Sequence, residues 1–485
     1  MRHTEIAIAK PFEGAPGVNF PDIFGASPKK PIILRIPVTG KRPLKCWVEN
    51  MPDGLKLDGQ LITGKIEKEG NYEIVLCAEN ELGVSKKKVK LEIFENNILL
   101  TPLLGFTSWN AFGTKVSQEK MLKTAHKLVD SGIAEYGYSY VNLDSGWQKD
   151  YGGKYDAIMP NEKFPDIKKM CDEIHSLGLK CGIYSTPMIT AFGCPEEFES
   201  IPGCTTGEPD ELFSMNMGGV GKIRKEENNV KQWTEWGFDY LKYDWCPTDT
   251  YNAELMRREL LKSERDFGYS IATKATPEYV NYWSKYANSY RNNPDALGDW
   301  DNFIRVFKSY DDFVTTNKKG HFFDLDMLDT GTCEMIKTEH IGYNGTEFTE
   351  DEQLCVYSSR AFLGSPIQIS STLENLNEFE LSMYCNEEII AINQDTLFSP
   401  AYPYLTVENG SKNIRIFKRK LSDGSFSIAA FNLGEKIENV IVYLEETSCV
   451  RDVWSKKDIG KMDVISTYMH PHTVKIYKVK QTEEL

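Results

Sequence analysis

The sequence predicts a multidomain protein in which a central (β/α)8 TIM barrel lies between an N-terminal β-sandwich and a C-terminal antiparallel β domain. Between about residues 100 and 398, helical patterns that end in glycine alternate with short apolar runs that end in polar residues. On either side of this stretch the helical period is absent, and short strand patterns separated by turn residues replace it. The length of 485 residues also exceeds what one ordinary core contains.

The N-terminal part of the chain predicts an arm followed by a small β domain. Residues 1–30 are rich in proline and glycine and show little periodicity, so we expect an irregular arm there. Residues 31–96 alternate short apolar runs with turn signals, which is typical of a β-sandwich. Its strands are expected at residues 32–36, 61–63, 72–76 and 89–93.

The barrel is expected over residues 97–398. Ser117 can cap a helix whose apolar face carries Leu122, Ala125 and Val129, and Gly132 follows that helix. The same succession of helix, glycine, strand and polar residue then recurs along the chain. The eight barrel strands are expected at residues 104–108, 140–144, 180–184, 238–246, 268–272, 287–290, 320–326 and 364–369.

The C-terminal part, residues 399–485, predicts an antiparallel β domain. After Pro400 the helical period disappears and short apolar runs separated by polar residues follow. These runs are at residues 414–417, 427–431, 440–443 and 473–477.

The composition argues against several classes of partner. A net charge of −15 does not suit a nucleic acid or an anionic membrane, because phosphate groups are bound by clustered Lys and Arg. The sequence has no run of about 18 apolar residues, and its start lacks the apolar core of a signal peptide. We therefore expect a soluble, cytoplasmic protein, or a secreted one if a signal peptide has been removed. An oligomer is compatible with the sequence.

Cysteine and histidine usage points away from a disulfide scaffold and from a metal site. The eleven cysteines are odd in number and form no CxxC pairs, which favours mostly reduced thiols. The seven histidines are scattered and show no metal-ligand spacing. We therefore expect neither a metal nor another cofactor.

Polar residues at the predicted strand ends are the candidates for chemistry, because a β/α barrel places its active site at the carboxyl ends of its strands. Paired carboxylates without a metal cluster point to glycoside hydrolysis. In that reaction one ionised carboxylate attacks the anomeric carbon, and a protonated one delivers a proton to the leaving oxygen. The strand-end residues are Trp109, Asp144, Tyr184, Lys242, Asp244, Arg291, Asp295 and Asp326.

Several of these residues also have a purely structural interpretation. Asp244 could cap the next helix, and Trp109 could lie in the barrel core. Lys242 could simply pair with a neighbouring acid. Asp299 and Asp301, close to Asp295, are expected to be acids at the start of a helix.

Seven segments across the predicted barrel, in the right order, resemble glycoside hydrolase family 27, the α-galactosidase (melibiase) family. The segments read LGFTSWNAFG, YVNLDSGW, GIYS, LKYD, ANSYR, DLDML and AINQD, at residues 104–113, 140–147, 182–185, 241–244, 287–291, 324–328 and 391–395. The resemblance implies a retaining mechanism with Asp244 as the nucleophile. The family's acid/base Asp lies four residues after the Arg of the sixth strand, which here is Asp295 after Arg291.

The resemblance also implies which residues bind the sugar. Trp109 would stack on the sugar face. The other members of the set would bind hydroxyls or hold the carboxylates, namely Asp144, Tyr184, Lys242, Arg291 and Asp326. Near the N-terminus, residues 49–57 (ENMPDGLKL), 62–64 (ITG) and 78–80 (AEN) resemble the immunoglobulin-like domain often fused to glycosidases, which implies a scaffold or an accessory wall.

The sequence departs from the family pattern in two places. Ser145 stands where the family commonly has a second acid, so recognition of the 4- and 6-hydroxyls of galactose is expected to be weakened or changed. Residues 273–276 lack the Cys-Glu-Trp pattern that often reads the 2-hydroxyl. The resemblance further implies a disulfide from Cys194 or Cys204 to Cys246, which would stay open in a reducing cytoplasm.

The leading hypothesis is therefore a retaining exo-α-glycosidase that removes terminal α-galactosyl residues from oligosaccharides or glycoconjugates. Related specificities are an α-N-acetylgalactosaminidase, a β-L-arabinopyranosidase and an enzyme acting on α-glucans. A glycan-binding barrel without turnover is the competing class, although binding alone would not need both Asp244 and Asp295. A barrel enzyme of unrelated chemistry, such as a lyase, is a further alternative.

Overall fold

The computed structural model describes residues 2–186, 224–244, 250–272, 280–333, 348–404 and 412–481. Eight parallel strands form one sheet in which chain neighbours lie side by side. The first strand also pairs with the eighth, and a bridge between Leu328 and Ile369 joins the segment after the seventh strand to the eighth. This order fits the (β/α)8 barrel expected from the sequence. The first to eighth barrel strands are Leu104–Thr107, Tyr140–Asn142, Lys180–Ser185, Tyr240–Asp244, Gly268–Ala272, Ser289–Tyr290, Phe322–Phe323 and Ile367–Ile369.

The helix Gln118–Asp130 begins after Ser117 and ends just before Gly132, as the sequence indicates. The side chain of Ser117 accepts a hydrogen bond from the backbone N–H of Lys120. Gly132, Gly237 and Gly364 follow helices in the left-handed conformation, which glycine adopts without strain. The α-helices are Trp109–Phe112, Gln118–Asp130, Ile167–Ser176, Glu226–Trp236, Thr250–Lys262, Val280–Tyr286, Trp300–Lys308, Glu350–Leu363, Glu378–Tyr384 and Glu387–Asn393. Short 3₁₀ helices are Gly113–Lys115, Ile133–Tyr136, Ser309–Asp312 and Leu373–Asn375.

The buried face of the helix Gln118–Asp130 differs slightly from the predicted one. Met121 and Leu128 are fully buried together with Ala125, whereas Leu122 and Val129 are partly buried at the edge of the core. The stripe that a helix turns to a core is more than about 100° wide, so the sequence pattern does not locate its centre within one residue.

The N-terminal strands form small sheets around a shared core. A four-stranded sheet has the order Ile23–Ala26, Gly83–Ile93, Gly70–Asn80 and Lys45–Glu49. A three-stranded sheet has the order Ile32–Arg35, Leu61–Gly64 and Leu55–Asp58. The pair Gly17–Val18 and Val38–Thr39 completes this part of the chain.

Residues 1–30 are more regular than expected. The strand Ile23–Ala26 pairs in parallel with Gly83–Ile93 at the edge of the four-stranded sheet. The pairing uses backbone groups, which a sequence pattern of side chains does not reveal. A Cβ on Gly25 would lie 2.0 Å from the carbonyl oxygen of Asn97, so only glycine fits where this strand approaches the barrel.

The N-terminal sheets contact the amino-terminal face of the barrel, opposite to the face where strand-end residues lie. The carboxylate of Glu135, just before the second barrel strand, is 1% exposed. It accepts hydrogen bonds from Arg35 Nη2 at 2.6 Å, from the backbone N–H of Val38 at 2.8 Å and from Gln60 Nε2 at 2.9 Å. Among the described residues, these sheets therefore pack against the barrel at the end away from the strand-end residues.

The first residues of the chain run between the barrel and the C-terminal domain. The backbone N–H of Thr4 donates to Asp351 Oδ1 at 2.9 Å, and its hydroxyl donates to the carbonyl of Val474 at 3.5 Å. The backbone N–H of Ala7 donates to the carbonyl of Trp454 at 2.8 Å. This N-terminal strap, residues 4–9, therefore contacts parts of the chain that are far away in sequence.

The C-terminal part forms one antiparallel six-stranded sheet. Its order is Tyr402–Pro403, Ile414–Lys420, Phe426–Asn432, Thr473–Gln481, Glu438–Asp452 and Lys457–Met469. The sequence does not indicate the last of these strands, because it lies at the sheet edge, most of its residues are exposed, and its apolar residues do not alternate with polar ones. A hairpin of Gln148–Gly152 and Ala157–Pro160 after the second barrel strand was not expected either. Among the described helices, none is long and apolar enough to cross a membrane.

Candidate active site

The predicted site residues occupy the carboxyl ends of the barrel strands. Tyr184, Lys242 and Asp244 lie in the last positions of the third and fourth strands. Asp144, Arg291 and Asp326 follow the second, sixth and seventh strands, and Trp109 begins the helix after the first. Because all these strands are parallel and neighbouring, their side chains converge on one end of the barrel.

Asp144 and Lys242 form a buried ion pair between the second and fourth strands. Lys242 Nζ lies 2.8 Å from Asp144 Oδ2, and the two side chains are 14% and 3% exposed. Burial lowers the pKa of Lys242, but the charges of Asp144, Asp244 and Asp326 outweigh burial and hold this pKa above its usual value. Lys242 is therefore a fixed cation. It does pair with a neighbouring acid, as its structural interpretation expects, but that acid is Asp144, another residue of the candidate site.

Tyr184 and Asp244 lie next to this pair. Lys242 Nζ is 5.6 Å from the centre of the Tyr184 ring. Burial, together with the negative charges of Asp244 and Asp144, raises the pKa of the Tyr184 hydroxyl well above its usual value. Tyr184 is thus a neutral hydrogen-bonding group, whereas Asp244 is partly exposed and accessible to a ligand.

Arg291 joins two carboxylates on the opposite side of the site. Its Nη1 lies 2.9 Å from Asp326 Oδ2, and its Nη2 lies 2.6 Å from Asp295 Oδ1. The Arg291 side chain is 8% exposed, whereas that of Asp295 is 63% exposed. The charge of Arg291 lowers the pKa of Asp295. In this arrangement Asp295 is an exposed acid at the rim of the site, held by a buried arginine.

Trp109 and Ser145 complete the predicted set. Trp109 is partly exposed, which is compatible with a sugar-stacking face and less so with a place in the barrel core. Ser145 is 1% exposed, and its backbone N–H donates to Asp144 Oδ1 at 2.8 Å. Asp299 caps the helix Trp300–Lys308 by accepting from the N–H of Asn302, and Asp301 lies in its first turn, as expected.

Sequence reasoning missed a layer of buried polar residues behind the site. Asp324 Oδ1 accepts a hydrogen bond from the backbone N–H of Asp326 at 2.8 Å. Asp329 Oδ1 accepts from Asn110 Nδ2 at 2.8 Å, and Asn110 also donates to the carbonyl of Ala296 at 3.1 Å. The fully buried Arg360 donates to the carbonyl of Leu325 at 2.8 Å. The acid-rich run from Asp324 to Asp329 was the available signal.

Two of these buried acids hold protons more tightly than usual. Burial, with the charge of Asp326 as the next cause, raises the pKa of Asp324 to about 6. Burial raises the pKa of Asp329 to about 7, partly opposed by the hydrogen bond from Asn110.

Replacing Asp329 by asparagine should therefore flatten the dependence of stability on pH. The unfolded chain has an ordinary Asp pKa of about 3.9. Because the folded pKa is higher, the contribution of Asp329 to stability is full below about pH 4 and is lost as the pH rises to about 7. Asparagine keeps the oxygen that accepts from Asn110 and does not titrate.

The measurement is the melting temperature of parent and Asp329→Asn at pH values from 4.5 to 8, with the exposed Asp301→Asn as the control. The melting temperature of Asp329→Asn minus that of the parent should rise up to about pH 7 and then level off. A constant difference would contradict the raised pKa.

Some sequence predictions concern residues outside the described ranges. These are the loop at residues 273–276 and the disulfide from Cys194 or Cys204 to Cys246. In the parts that the structure describes, no group of three or more His, Cys, Asp or Glu side chains could hold a metal ion. The site as described consists of carboxylates alternating with buried cations, an arrangement that can hydrogen-bond several hydroxyl groups of one sugar ring.

Comparison with known proteins places the chain among glycosidases. A family model for alpha galactosidase A matches residues 102–204 and 211–395, and a model for the alpha galactosidase C-terminal beta sandwich domain matches residues 411–479. Alpha-galactosidase 3 of Arabidopsis thaliana is 28% identical over 380 residues, covering 75% of this chain and 78% of that protein.

Two solved structures from Bacteroides fragilis with provisional names are similar over nearly the whole chain. One, named as an alpha-galactosidase/melibiase, is 28% identical with a TM-score of 0.84 and covers 97% of this chain and 99% of that one. The other, named as an alpha-galactosidase, is 27% identical with a TM-score of 0.83 and covers 98% and 100%.

The fold, the site and these matches together define a glycoside hydrolase built on a β/α barrel. The first family model covers more than half of the residues. The chain belongs to the alpha galactosidase A family, glycoside hydrolase family 27.

Proposed function

We propose that the protein removes terminal α-linked galactose, or a closely related sugar, from oligosaccharides or glycoconjugates with retention of configuration. The observation that carries the proposal is the cluster of Asp144, Lys242, Asp244, Arg291 and Asp326 at the strand ends of a barrel of this family. The curated relatives, with names such as Alpha-galactosidase 3 in Arabidopsis thaliana, support galactose as the sugar.

In the proposed mechanism Asp244 is the nucleophile and Asp295 is the acid/base. A carboxylate oxygen of Asp244 bonds to the anomeric carbon while the bond to the leaving oxygen breaks, and Asp295 gives its proton to that oxygen. In the second step Asp295 takes a proton from water. The water oxygen bonds to the anomeric carbon while the bond to Asp244 breaks, which restores the free enzyme.

The remaining site residues bind and orient the sugar in this proposal. Asp144 and Lys242, fixed by their ion pair, offer one acceptor and one donor to neighbouring hydroxyls. Tyr184 donates from a hydroxyl that stays protonated. Trp109 presents an apolar ring face to the C–H groups of the sugar. Arg291 holds Asp295 and is itself held by Asp326. Because Arg291 lowers the pKa of Asp295, the protonated form that donates to the leaving oxygen is favoured at acidic pH.

A panel of nitrophenyl glycosides tests the proposal directly. The α-galactoside, the α-N-acetylgalactosaminide, the β-L-arabinopyranoside and the α-glucoside are compared by kcat/KM. We expect turnover of the α-galactoside or of one close relative. The nitrophenyl β-galactoside, measured alongside, should not be hydrolysed. Binding of galactose without any hydrolysis would favour the glycan-binding barrel, and a product with an unsaturated ring would favour a lyase.

Ser145 is proposed to set the sugar specificity. A carboxylate at this position would accept stronger hydrogen bonds from sugar hydroxyls than a serine hydroxyl does. A charge-assisted hydrogen bond contributes about 1.5–3 kcal/mol, so Ser145→Asp should raise kcat/KM on simple α-galactosides roughly ten- to a hundred-fold. The measurement is kcat/KM of parent and variant on the same aryl α-galactoside.

Ser145→Asn is the matched control for Ser145→Asp, because it has a similar volume and no charge. A fast parent, together with a neutral or harmful Ser145→Asp, would show that the serine does not limit recognition of galactose. In that case another loop supplies the contact.

We also propose that the N-terminal sheets are an immunoglobulin-like domain with a scaffolding role, and that domains meet near residues 97 and 399. Two sheets with one shared core support the first part. The contacts of Glu135 support the scaffolding role, because they hold these sheets against the face of the barrel away from the site.

A further inference from the structure

The turn that carries Asp326 has an unusual backbone. Asp326 has φ of +65°, a left-handed conformation that residues other than glycine adopt when their surroundings hold them there. The turn lies between the end of the seventh barrel strand and Leu328, which bridges to the eighth strand. Asp326 is 5% exposed, so the turn is buried beneath the site.

The side chain of Asp324 holds this turn from one side. The backbone N–H of Asp324 still donates to the carbonyl of Tyr290 at 2.8 Å and so continues the strand ladder. Its carboxylate folds over the next residues, and Oδ1 accepts the backbone N–H of Asp326 at 2.8 Å. Asp324 is 5% exposed, so water does not easily replace this bond.

Arg360 and Ser365 hold the same turn from the other side. Arg360 Nη2 donates to the carbonyl of Leu325 at 2.8 Å, and the backbone N–H of Leu325 donates to Ser365 Oγ at 2.9 Å. Burial lowers the pKa of Arg360 to about 10, whereas the charges of Asp329, Asp326 and Asp324 act in the opposite direction. The negative charge of Asp324 thus also helps to keep this buried guanidinium ionised.

The held turn aims the carboxylate of Asp326 at the catalytic side of the site. Asp326 Oδ2 accepts from Arg291 Nη1 at 2.9 Å and from the backbone N–H of Ala296 at 2.8 Å. Arg291 in turn contacts Asp295 at 2.6 Å, and Ala296 is the next residue after Asp295. One carboxylate therefore fixes both the arginine that binds Asp295 and the backbone beside it.

We propose that Asp324 is a positioning residue for the acid/base Asp295, acting through the Asp326 turn and Arg291. The kinetic part of this inference rests on the proposed function, whereas its geometric part does not. The bond to the N–H of Asp326 is the essential contact. Asp324→Asn keeps an oxygen there and should preserve the turn, whereas Asp324→Ala removes the acceptor.

The kinetic experiment compares parent, Asp324→Asn and Asp324→Ala on two substrates. One is an alkyl α-galactoside, which needs a proton on its leaving oxygen, and the other is a dinitrophenyl α-galactoside, which does not. For Asp324→Ala we expect a loss in kcat/KM of about 10²-fold on the alkyl substrate and less than about 10-fold on the activated one. Asp324→Asn should stay within about three-fold of the parent on both substrates.

Asp295→Ala provides the background that separates positioning from general damage. If Asp324 acts through Asp295, adding Asp324→Ala to Asp295→Ala should cost less than about three-fold more on the alkyl substrate. The control is Asp239→Asn, a buried acid at the amino-terminal end of the barrel that contacts His175 and Arg265. Asp239→Asn can lower the melting temperature, but any loss in kcat/KM should be the same on the alkyl and the dinitrophenyl substrate.

Crystal structures of the variants test the geometric part without any activity. We expect Asp324→Ala to break the contact between Arg291 and Asp326 and Asp324→Asn to keep it. If Asp324→Ala does not fold, Asp324→Glu takes its place, because one more methylene displaces the oxygen while the charge remains.

The outcomes distinguish failure of the inference from failure of the proposed function. A parent that hydrolyses no glycoside would refute the proposed function, and the crystal structures would then decide the inference. An unchanged Asp326 turn in Asp324→Ala would overturn the inference. Equal losses on both substrates, full additivity with Asp295→Ala, or an Asp324→Asn as impaired as Asp324→Ala would overturn it as well.

Discussion

Asp244→Ala is expected to lower kcat/KM on an aryl α-galactoside by at least about 10⁴-fold, while the protein folds normally. Asp244 ends the fourth barrel strand, is partly exposed and lies beside Lys242 and Tyr184. Without its carboxylate no covalent intermediate forms, and the remaining residues only bind the sugar. The measurement is kcat/KM together with the melting temperature of parent and variant.

The matched control for Asp244→Ala is Asp301→Ala, which removes an exposed acid at a helix start near the site. It should retain activity close to that of the parent. Azide should partly restore turnover in Asp244→Ala, because a small anion fits the space of the lost carboxylate, and the product should be the β-galactosyl azide. Parent-like turnover in Asp244→Ala without azide would refute its role as nucleophile.

Asp295→Ala should show the second-largest effect, and the size should depend on the leaving group. On an alkyl α-galactoside we expect a loss of about 10²–10⁴-fold in kcat/KM, because the leaving oxygen then departs without a proton. On a dinitrophenyl α-galactoside the loss should be less than about 10-fold in kcat/KM, because that oxygen leaves as a stable anion. The two substrates are measured under identical conditions.

Asp299→Ala is the control for this prediction, since Asp299 lies four residues further along and caps the helix Trp300–Lys308. Loss of this cap should lower the free energy of unfolding by about 1 kcal/mol. Any change in kcat/KM should be the same for both leaving groups. Equal losses on both substrates for Asp295→Ala would count against an acid role. The charge of Arg291 would then explain the missing acid role, because it lowers the pKa of Asp295 and so disfavours the protonated form.

The barrel strands were predictable because buried parallel strands are short apolar runs, and the preceding helices end at glycines such as Gly237. The strand Lys457–Met469 was not predictable, because an edge strand whose outer face is solvated needs no apolar pattern. Nor does the sequence indicate that Glu135 binds the N-terminal sheets. That acid meets Arg35 and Gln60 across a long sequence separation, and only the folded chain brings them together.

The same limit applies to the site. Strand-end position and family resemblance pointed to Lys242, Asp244 and Arg291, whose side chains the structure brings to one end of the barrel. The layer behind them was missed, because Asp324 acts on the backbone of its own turn and Arg360 reaches that turn from a distant helix. Such contacts depend on backbone conformation and packing, so the acid-rich run from Asp324 to Asp329 indicates buried acids but not which groups they contact.

The N-terminal strap has a consequence for synthesis on the ribosome. The hydroxyl of Thr4 binds the carbonyl of Val474, 470 positions later. At about 5–20 residues per second, Val474 is synthesised roughly 25–95 s after Thr4. During that time the strap lacks its partners in the C-terminal domain, while the N-terminal sheets can already form their own core. The contact between the strap and the C-terminal domain therefore forms only after residue 474 has been synthesised.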